Sequence, residues 1–199
     1  MAIYGYLMTT RAIDPKQLER DRMAQVSLGQ IPEPASPADG FAYVALQELA
    51  TRVAHRNTGQ HLQDPVGLAL MKRVAEDENY HYMFYRDLVK AGLEVAPEMM
   101  LEAIERQVRH FEMPGTGIRD FSAHETRIAL GGIFGITETT RNVFDPVILK
   151  QWGIEKLSNL SEQADKAREK ILRRLGALAR AAAKEQEARE QYQAQLRLA

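Results

Sequence analysis

The chain has 199 residues, of which 45% are hydrophobic and 27% are charged, the balance of a globular protein with one domain of moderate size. Its 26 basic and 27 acidic residues leave a net charge of -1, so no global field points to nucleic acid or to a membrane surface. The absence of cysteine excludes disulfides, thiolate metal sites and cysteine nucleophiles. No apolar run approaches the roughly 20 residues of a membrane-spanning helix, and we expect no transmembrane segment.

The first residues predict a helix. Ile3, Tyr4, Leu7 and Met8 have helical spacing, and no capping residue precedes them, so we expect the chain to start within a helix. The same stretch lacks the charged head and the long apolar middle of a signal peptide. Together with the lack of cysteine, this favours a cytoplasmic location.

Glycine and proline divide the rest of the chain into helices, and no alternating strand pattern is evident. Asp14 and Pro15 form a cap-then-proline signature with Gln17 as a capping-box partner, and Asp64 and Pro65 repeat the signature. The predicted elements are helices over about 15–28, 41–61, 65–92, 97–111 and 119–130, a loop over 29–40, a turn at 113–117, and a helix that is bent by Pro146 and ends near 152–153.

Residues from Ser161 onward are rich in alanine, arginine, glutamate, lysine and glutamine and contain almost no helix breaker. This composition predicts a long solvated helix, frayed or extending from the body. The arginines of this segment are compatible with a more specific hypothesis, a nucleic-acid-binding surface, but the interspersed glutamates favour a solvated face. We therefore divide the chain into a helical-bundle domain over 1–157 and a charged helical tail over 158–199.

Glu78 and His81 form a candidate metal-binding pair on the predicted helix 65–92. Residues three apart lie about 60° apart around a helix axis and roughly 4.5 Å apart along it, so both side chains can reach one point. A carboxylate oxygen and an imidazole nitrogen at one point suit iron, manganese or zinc. The same spacing also fits a hydrogen bond on a helix surface, and the motif alone leaves both interpretations open.

Glu48, on the preceding long helix, is a third candidate ligand. It is flanked by Leu46 and Leu49, and a glutamate buried among such neighbours is costly unless it is paired or bound to metal. The alternative is an exposed helix charge. Helical bundles with di-iron or di-manganese sites use one Glu from each of two helices and a Glu-x-x-His from each of two others. Glu48, followed by Glu78 and His81, is half of that set.

The neighbours of this group suggest how it is supported. For Asp77 two interpretations stay open from the residues alone: it accepts a hydrogen bond from His81 and orients its ring, or it has no such partner. We expect the metal position to be buried and sealed by aromatic rings. The other candidates receive structural roles: C-terminal capping for His55 and His61, structural or exposed positions for His110 and His124, and core or interface packing for Tyr80, Tyr82, Phe84 and Tyr85.

The segments QELATRVAHRNTG (47–59) and DENYHYMFYRDLV (77–89) resemble the soluble acyl-carrier-protein desaturases, particularly those of actinobacteria. The resemblance extends from the first residues through HFEMPG (110–115) to LKQWGI (149–154), roughly four-fifths of the chain. It implies an all-α, ferritin-like helical bundle of the ribonucleotide-reductase type, with a non-haem di-iron centre in its interior.

The resemblance also implies an activity in fatty acid biosynthesis. Such enzymes use O₂ to remove two hydrogens from an acyl chain carried on acyl carrier protein, with electrons from a ferredoxin-type donor, and they are usually homodimers. Glu48, Glu78 and His81 match iron ligands. Thr51 matches a hydroxyl near the oxygen site that helps to deliver protons, and Asp77 matches an acid that is hydrogen-bonded to the ligand histidine.

The sequence departs from the family pattern at its N-terminal end. The family's site uses four carboxylates and two histidines, and a first Glu and a first Glu-x-x-His precede the segment that resembles residues 1–15. We therefore expect an N-terminally truncated bundle with an incomplete site and little or no desaturase activity on its own. Two alternatives stay open: an inactive paralogue that acts as a binding or structural subunit, and a protein that holds a single metal ion through Glu48, Glu78 and His81.

Overall fold

The computed structural model describes residues 2–28, 33–113 and 121–198, and the regular elements of these segments are all helical, which confirms the predicted all-α class. None of the described helices is both long and apolar enough to cross a bilayer. In chain order the elements are α1 (Ala2–Thr10), α2 (Pro15–Leu28), α3 (Pro37–His61), α4 (Pro65–Val95), α5 (Pro97–His110), α6 (Phe121–Leu130), α7 (Ile136–Glu138), a π-helix (Thr139–Gln151), a 3₁₀-helix (Ile154–Lys156) and α8 (Glu162–Leu198).

The proline-marked helix starts are confirmed. The Asp14 carboxylate accepts a hydrogen bond from the backbone N–H of Gln17 at 2.8 Å, and the Asp64 carboxylate accepts one from the N–H of Gly67 at 2.8 Å. Each bond satisfies a donor that has no partner within its own helix. The side-chain oxygen of Gln17, which would accept the return bond from the N–H of Asp14, instead accepts one from the guanidinium of Arg20 at 3.2 Å, so the predicted capping box is not closed.

The predicted start of α3 at Phe41 is wrong, because the helix begins at Pro37. Ser36 is the N-cap, and its hydroxyl accepts the backbone N–H of Asp39 at 3.2 Å. A serine followed by a proline is the same kind of signature as Asp14 with Pro15. It was hidden by two further prolines just before it, which made the whole segment resemble a loop.

Gly92 does not end α4, which continues to Val95. A Cβ atom at position 92 would lie only 2.9 Å from Sδ of Met100, so the glycine permits close packing between α4 and α5. The predicted turn at 113–117 and the predicted helix start at Arg119 lie largely outside the described residues. Downstream, α6 begins at Phe121.

Pro146 lies inside the π-helix rather than at a simple bend. Proline lacks the N–H that an α-helix requires, and a wider winding is one way for a helix to accommodate such an interruption. At the C-terminal end of this segment, the N–H of Trp152 donates to the carbonyl of Val147, five residues earlier, at 2.8 Å. The predicted helix up to Trp152 is therefore confirmed, with a different winding.

The prediction of a solvated tail is wrong for one face of α8. The predicted long helix is confirmed, but Ala164, Ile171 and Leu175 belong to the hydrophobic core. They pack with buried side chains of α3, α5 and the π-helix, among them Leu46, Leu101, Ile104, Phe144 and Ile148. The division of the chain at 157 and 158 stays a prediction.

The site is carried by α3 and α4, which are joined by only three residues, 62–64. So short a connection makes the two helices antiparallel neighbours, and their contact is the most extensive between any two described elements. A Cβ atom at Gly59 would lie 2.8 Å from Cβ of Met71, so the two backbones approach closely near the connection. This hairpin places residue 48 opposite residues 78–81.

Candidate metal site

Glu48, Glu78 and His81 converge between α3 and α4. Nδ1 of His81 lies 3.3 Å from Oε2 of Glu48 and 3.4 Å from Oε2 of Glu78. One oxygen or nitrogen atom of each residue lies within 4.8 Å of those of the other two. Two helices thus bring the three predicted ligands to one point.

The group lies at an open surface. The side chains of Glu48 and Glu78 are 16% and 21% exposed, whereas that of His81 is 60% exposed. The expectation that His81 faces a buried position is therefore wrong in this structure. The aromatic side chains predicted to cover the site do so only in part, since Tyr82 is buried but Tyr80 and Phe84 are exposed. Core packing is thus wrong for Tyr80 and Phe84.

The two carboxylates oppose each other electrostatically. Burial, followed by the neighbouring carboxyl of Glu78, raises the pKa of Glu48 to about 7, and the contact with His81 offsets part of this increase. No lysine or arginine in the described segments comes within 4 Å of either carboxylate. Two adjacent carboxylates without a permanent cation form a place where a bound cation is stabilising.

The donor set fits iron. Carboxylate oxygens are hard ligands that suit the higher oxidation state, and neutral imidazole suits iron, zinc and copper. If Nδ1 of His81 binds a metal, the ring proton resides on Nε2. The three residues present here would hold part of a coordination shell, and they match one half of the carboxylate-rich set of helical-bundle di-iron proteins.

Thr51 lies one turn after Glu48 on α3. Its hydroxyl donates to the backbone carbonyls of Gln47 at 3.1 Å and Glu48 at 3.0 Å. The hydroxyl proton is therefore held by the helix, a common arrangement for a threonine in mid-helix, while its lone pairs stay available as acceptors.

Asp77 points to a different partner from the predicted one. Its carboxylate lies 3.0 Å from the guanidinium of Arg73, one turn earlier on α4, and its side chain is half exposed. The contacts of His81 are instead with Glu48 and Glu78. A role for Asp77 in orienting His81 stays a prediction.

His55 is a neighbour of the site that sequence reasoning missed. The predicted capping role is wrong, because α3 continues past it to His61. Its Nε2 atom lies 3.8 Å from Oε1 of Glu78, and burial lowers the pKa of its imidazole. Position 55 is seven residues after Glu48, and residues seven apart share a helix face. The seven-residue interval from Glu48 could therefore have identified His55 from the sequence.

The fold and the ligand group define a class, and comparison with known proteins agrees with it. Residues 2–198 match the model of the family described as fatty acid desaturase, and the chain belongs to this family. The predicted recognition and its ferritin-like helical fold are thereby confirmed. The chain is 35% identical over 179 residues to a putative acyl-[acyl-carrier-protein] desaturase, DesA1, of Mycobacterium tuberculosis, which covers 86% of this chain and 53% of the relative.

A plant desaturase also matches most of this chain. The chain is 28% identical over 174 residues to a chloroplastic stearoyl-[acyl-carrier-protein] 9-desaturase of Gossypium hirsutum, with coverage of 82% of this chain and 44% of the relative. The chain therefore spans about half the length of the curated relatives that it matches.

Proposed function

We propose that this chain supplies iron ligands of an acyl-[acyl-carrier-protein] desaturase, an O₂-dependent oxidoreductase of fatty acid biosynthesis. The observation that carries the proposal is the convergence of Glu48, Glu78 and His81 in a member of the fatty acid desaturase family. The names of the relatives support an acyl group on acyl carrier protein as the substrate class.

A bound di-iron centre would supply the reduction of O₂ that accompanies removal of two hydrogens from the acyl chain. The reaction balances when O₂, the two substrate hydrogens, two electrons and two protons yield two waters and one carbon–carbon double bond. Glu48 and Glu78 would hold the metal through carboxylate oxygens and His81 through Nδ1. The two carboxylates would offset positive charge on the metal, and none of the three residues carries an oxidisable thiol.

Thr51 is the group proposed to pass a proton near this site. Its hydroxyl lies one turn from Glu48 and donates to backbone carbonyls of α3. Rotation about χ1 would release the hydroxyl proton to another acceptor. Asp77 is proposed to support His81 after exchange of its present partner Arg73. Both roles rest on the family resemblance.

The partners and the location of the protein are also part of the proposal. Acyl carrier protein as substrate carrier is supported by the names of the relatives. A ferredoxin-type donor, a homodimer and a cytoplasmic location follow from the resemblance.

Iron binding tests the function directly. The wild-type chain should bind Fe(II), and Glu78→Ala and His81→Ala should each weaken binding by more than about 10-fold, because each removes a ligand atom. His110→Ala is the matched control, since His110 is exposed at the end of α5. Circular dichroism should show equal helix content in all four proteins. Equal iron affinity of the wild type and both site variants would refute the proposal.

The reaction is tested with acyl carrier protein bearing a saturated acyl group, O₂, and a ferredoxin with its reductase. The expected product is the same acyl group two hydrogens lighter, measured by mass spectrometry. Thr51→Val should keep iron binding and lower turnover, because only the hydroxyl is lost. Turnover requires the full ligand set of a helical-bundle di-iron site, so it is expected only where Glu48, Glu78 and His81 are joined by the remaining carboxylates and histidine of that set.

A further inference from the structure

Helix α4, which carries two of the three candidate ligands, is hydrogen-bonded to the C-terminal end of the π-helix. The phenol hydroxyl of Tyr82 donates to Oε1 of Gln151, the last residue of the π-helix, at 2.6 Å. The indole N–H of Trp152, the residue that follows, donates to the backbone carbonyl of Arg86 at 3.1 Å. Residues 82 and 86 are about one helical turn apart, so the two bonds hold one side of α4 at two levels.

Both aromatic side chains of this contact are buried. Tyr82 and Trp152 are each only 4% exposed, and both belong to the hydrophobic core. A buried phenol or indole normally needs a partner for its polar atom, and each of the two has one here. The guanidinium of Arg86 also lies 5.6 Å from the centre of the Tyr82 ring, within the range of a cation–π contact. The position of Tyr82 is therefore fixed by packing and by direct polar contacts.

Tyr82 lies close to both ligands of α4 in the helix. At about 100° per residue, its side chain lies about 100° around the helix axis from His81 and about 40° from Glu78. A rotation of α4 that breaks the bond of Tyr82 would move both ligands. Nδ1 of His81 lies 3.3 Å from Oε2 of Glu48, and ligands must keep such positions within about 0.5 Å.

The connection between α3 and α4 does not fix this rotation by itself. The close approach of the two backbones occurs at Gly59, three turns from Glu48 and roughly 16 Å away along the axis of α3. Over that length a small rotation of α4 changes the side chains that face α3. A second contact near the ligands is needed, and the bonds to the π-helix are placed to supply it.

We propose that Tyr82 is a positioning residue of the desaturase site. Its hydrogen bond to Gln151, together with that of Trp152, sets the rotation of α4 and holds the two ligands of this helix opposite Glu48. The winding of the π-helix contributes, because it determines where residues 151 and 152 lie, and π-helical turns are frequent at functional sites. The inference rests on the proposed metal binding.

Variants at the two ends of the bond test this role in the 199-residue chain. Tyr82→Phe removes only the donor hydroxyl, Gln151→Leu removes the acceptor, and Gln151→Glu keeps an acceptor oxygen in its place. Tyr85→Phe is the matched control, since it removes a hydroxyl from a partly buried tyrosine of the same helix. Fe(II) affinity is measured without oxygen, and the absorption spectrum of bound Co(II) reports the coordination geometry.

The expected effect is moderate and follows the hydrogen bond. Tyr82→Phe and Gln151→Leu should each weaken Fe(II) binding by about 3- to 10-fold and change the Co(II) spectrum. The double variant should lose no more than either single variant, because both changes remove the same bond. Gln151→Glu and Tyr85→Phe should match the wild type in both measurements.

Two further measurements distinguish positioning from general stability. In the metal-free chain, backbone amides of residues 78–86 should exchange with solvent at least about 3-fold faster in Tyr82→Phe, relative to those of α5. Val89→Ala removes buried methyl groups from the same helix but touches neither hydrogen bond. It should lower the midpoint of urea unfolding and leave the Co(II) spectrum unchanged.

The possible failures of the two proposals are separate. Identical Fe(II) affinity and Co(II) spectra in the wild type, Tyr82→Phe and Gln151→Leu would overturn the positioning role and leave the proposed function intact. Equal spectral changes in Tyr82→Phe and Val89→Ala would also overturn it, because Tyr82 would then act only through stability. A wild-type chain that binds neither metal would overturn the proposed function and the positioning role with it.

Discussion

Two clusters of carboxylates, one between α7 and α8 and one between α3 and α4, are neutralised in different ways. Between α7 and α8, Glu138 accepts hydrogen bonds from both terminal nitrogens of Arg189, at 2.7 and 2.9 Å. Glu185 accepts the backbone N–H groups of Ile136 and Thr137 at 3.2 and 2.9 Å. Every carboxylate there has a donor from the chain itself, and a cluster satisfied in this way is structural.

In the described part of the chain, the cluster between α3 and α4 has no arginine, lysine or backbone N–H donor to its carboxylates. Glu48 and Glu78 face each other and share His81, whose ring is largely exposed. The comparison shows that proximity of acids alone does not mark a candidate metal site. What distinguishes it is the absence of a permanent cation, which leaves the charge to be balanced from outside.

Removal of the cation from the structural cluster should have the largest effect. Arg189 and Glu138 are only 9% and 8% exposed, so Arg189→Met leaves a buried carboxylate without its partner. We expect the free energy of unfolding to fall by about 3–5 kcal/mol. Urea denaturation followed by circular dichroism measures it. Arg180→Met, at an exposed position on the same helix, should change it by less than about 0.5 kcal/mol. Equal loss in both variants would contradict a structural role of the ion pair.

The role of Arg189 also shows what sequence reasoning could not reach. The composition of residues 161–199 predicts a long helix, and α8 is one. The same composition made its arginines look solvated. Arg189 meets an acid 51 residues earlier in the chain, and helix periodicity contains no information on such a distant pairing. Helix identity is local, whereas the partner of a charge is set by tertiary packing.

A second structural carboxylate provides a test by pH. Asp39 is buried and accepts hydrogen bonds from two nitrogens of Arg106, at 2.7 and 2.9 Å, and these bonds hold the pKa of its carboxyl below its usual value. A carboxyl with a lowered pKa stabilises the fold above its unfolded-state pKa, and the contribution is lost as the pH falls through the folded-state value.

We therefore expect Asp39→Asn to lower the free energy of unfolding at pH 7 by about 1.5–3 kcal/mol, the range for a hydrogen bond to a charged group. The difference from the wild type should shrink as the pH is lowered below about 4, where Asp39 is protonated on unfolding. Urea titrations at pH 7, 5, 4 and 3 measure it. A difference that stays constant over this range would mean that the charge of Asp39 contributes nothing.

The candidate site was predicted in part. The interval of three residues places Glu78 and His81 on one side of α4, and the known bundle inventory identified Glu48 on the neighbouring helix. Spacing along one helix does not show which side of the bundle is covered, so the exposure of His81 and Phe84 was not foreseen. His55 was missed because it was assigned to a helix end that lies six residues further on.

The smallest expected change in stability comes from the candidate metal-site cluster between α3 and α4, and its sign distinguishes a binding role from a structural one. Glu48→Gln removes one of two opposed carboxylates, so the metal-free protein should be unchanged or more stable by up to about 1 kcal/mol. Glu138→Gln, the matched change in the structural cluster, should destabilise, because Arg189 then lacks a buried charge partner.

The stabilisation of the fold by Fe(II) should also differ between the two variants. A ligand at 100 times its dissociation constant stabilises a protein by about 2.7 kcal/mol, and Glu138→Gln should retain this gain while Glu48→Gln loses most of it. Thermal unfolding with and without Fe(II) under anaerobic conditions measures both quantities in one experiment. If Glu48→Gln instead destabilised the metal-free protein as much as Glu138→Gln does, the carboxylates of the α3–α4 cluster would be structural as well. A carboxylate that is neutral or unfavourable for folding, yet required for the response to iron, is explained by metal binding and not by packing.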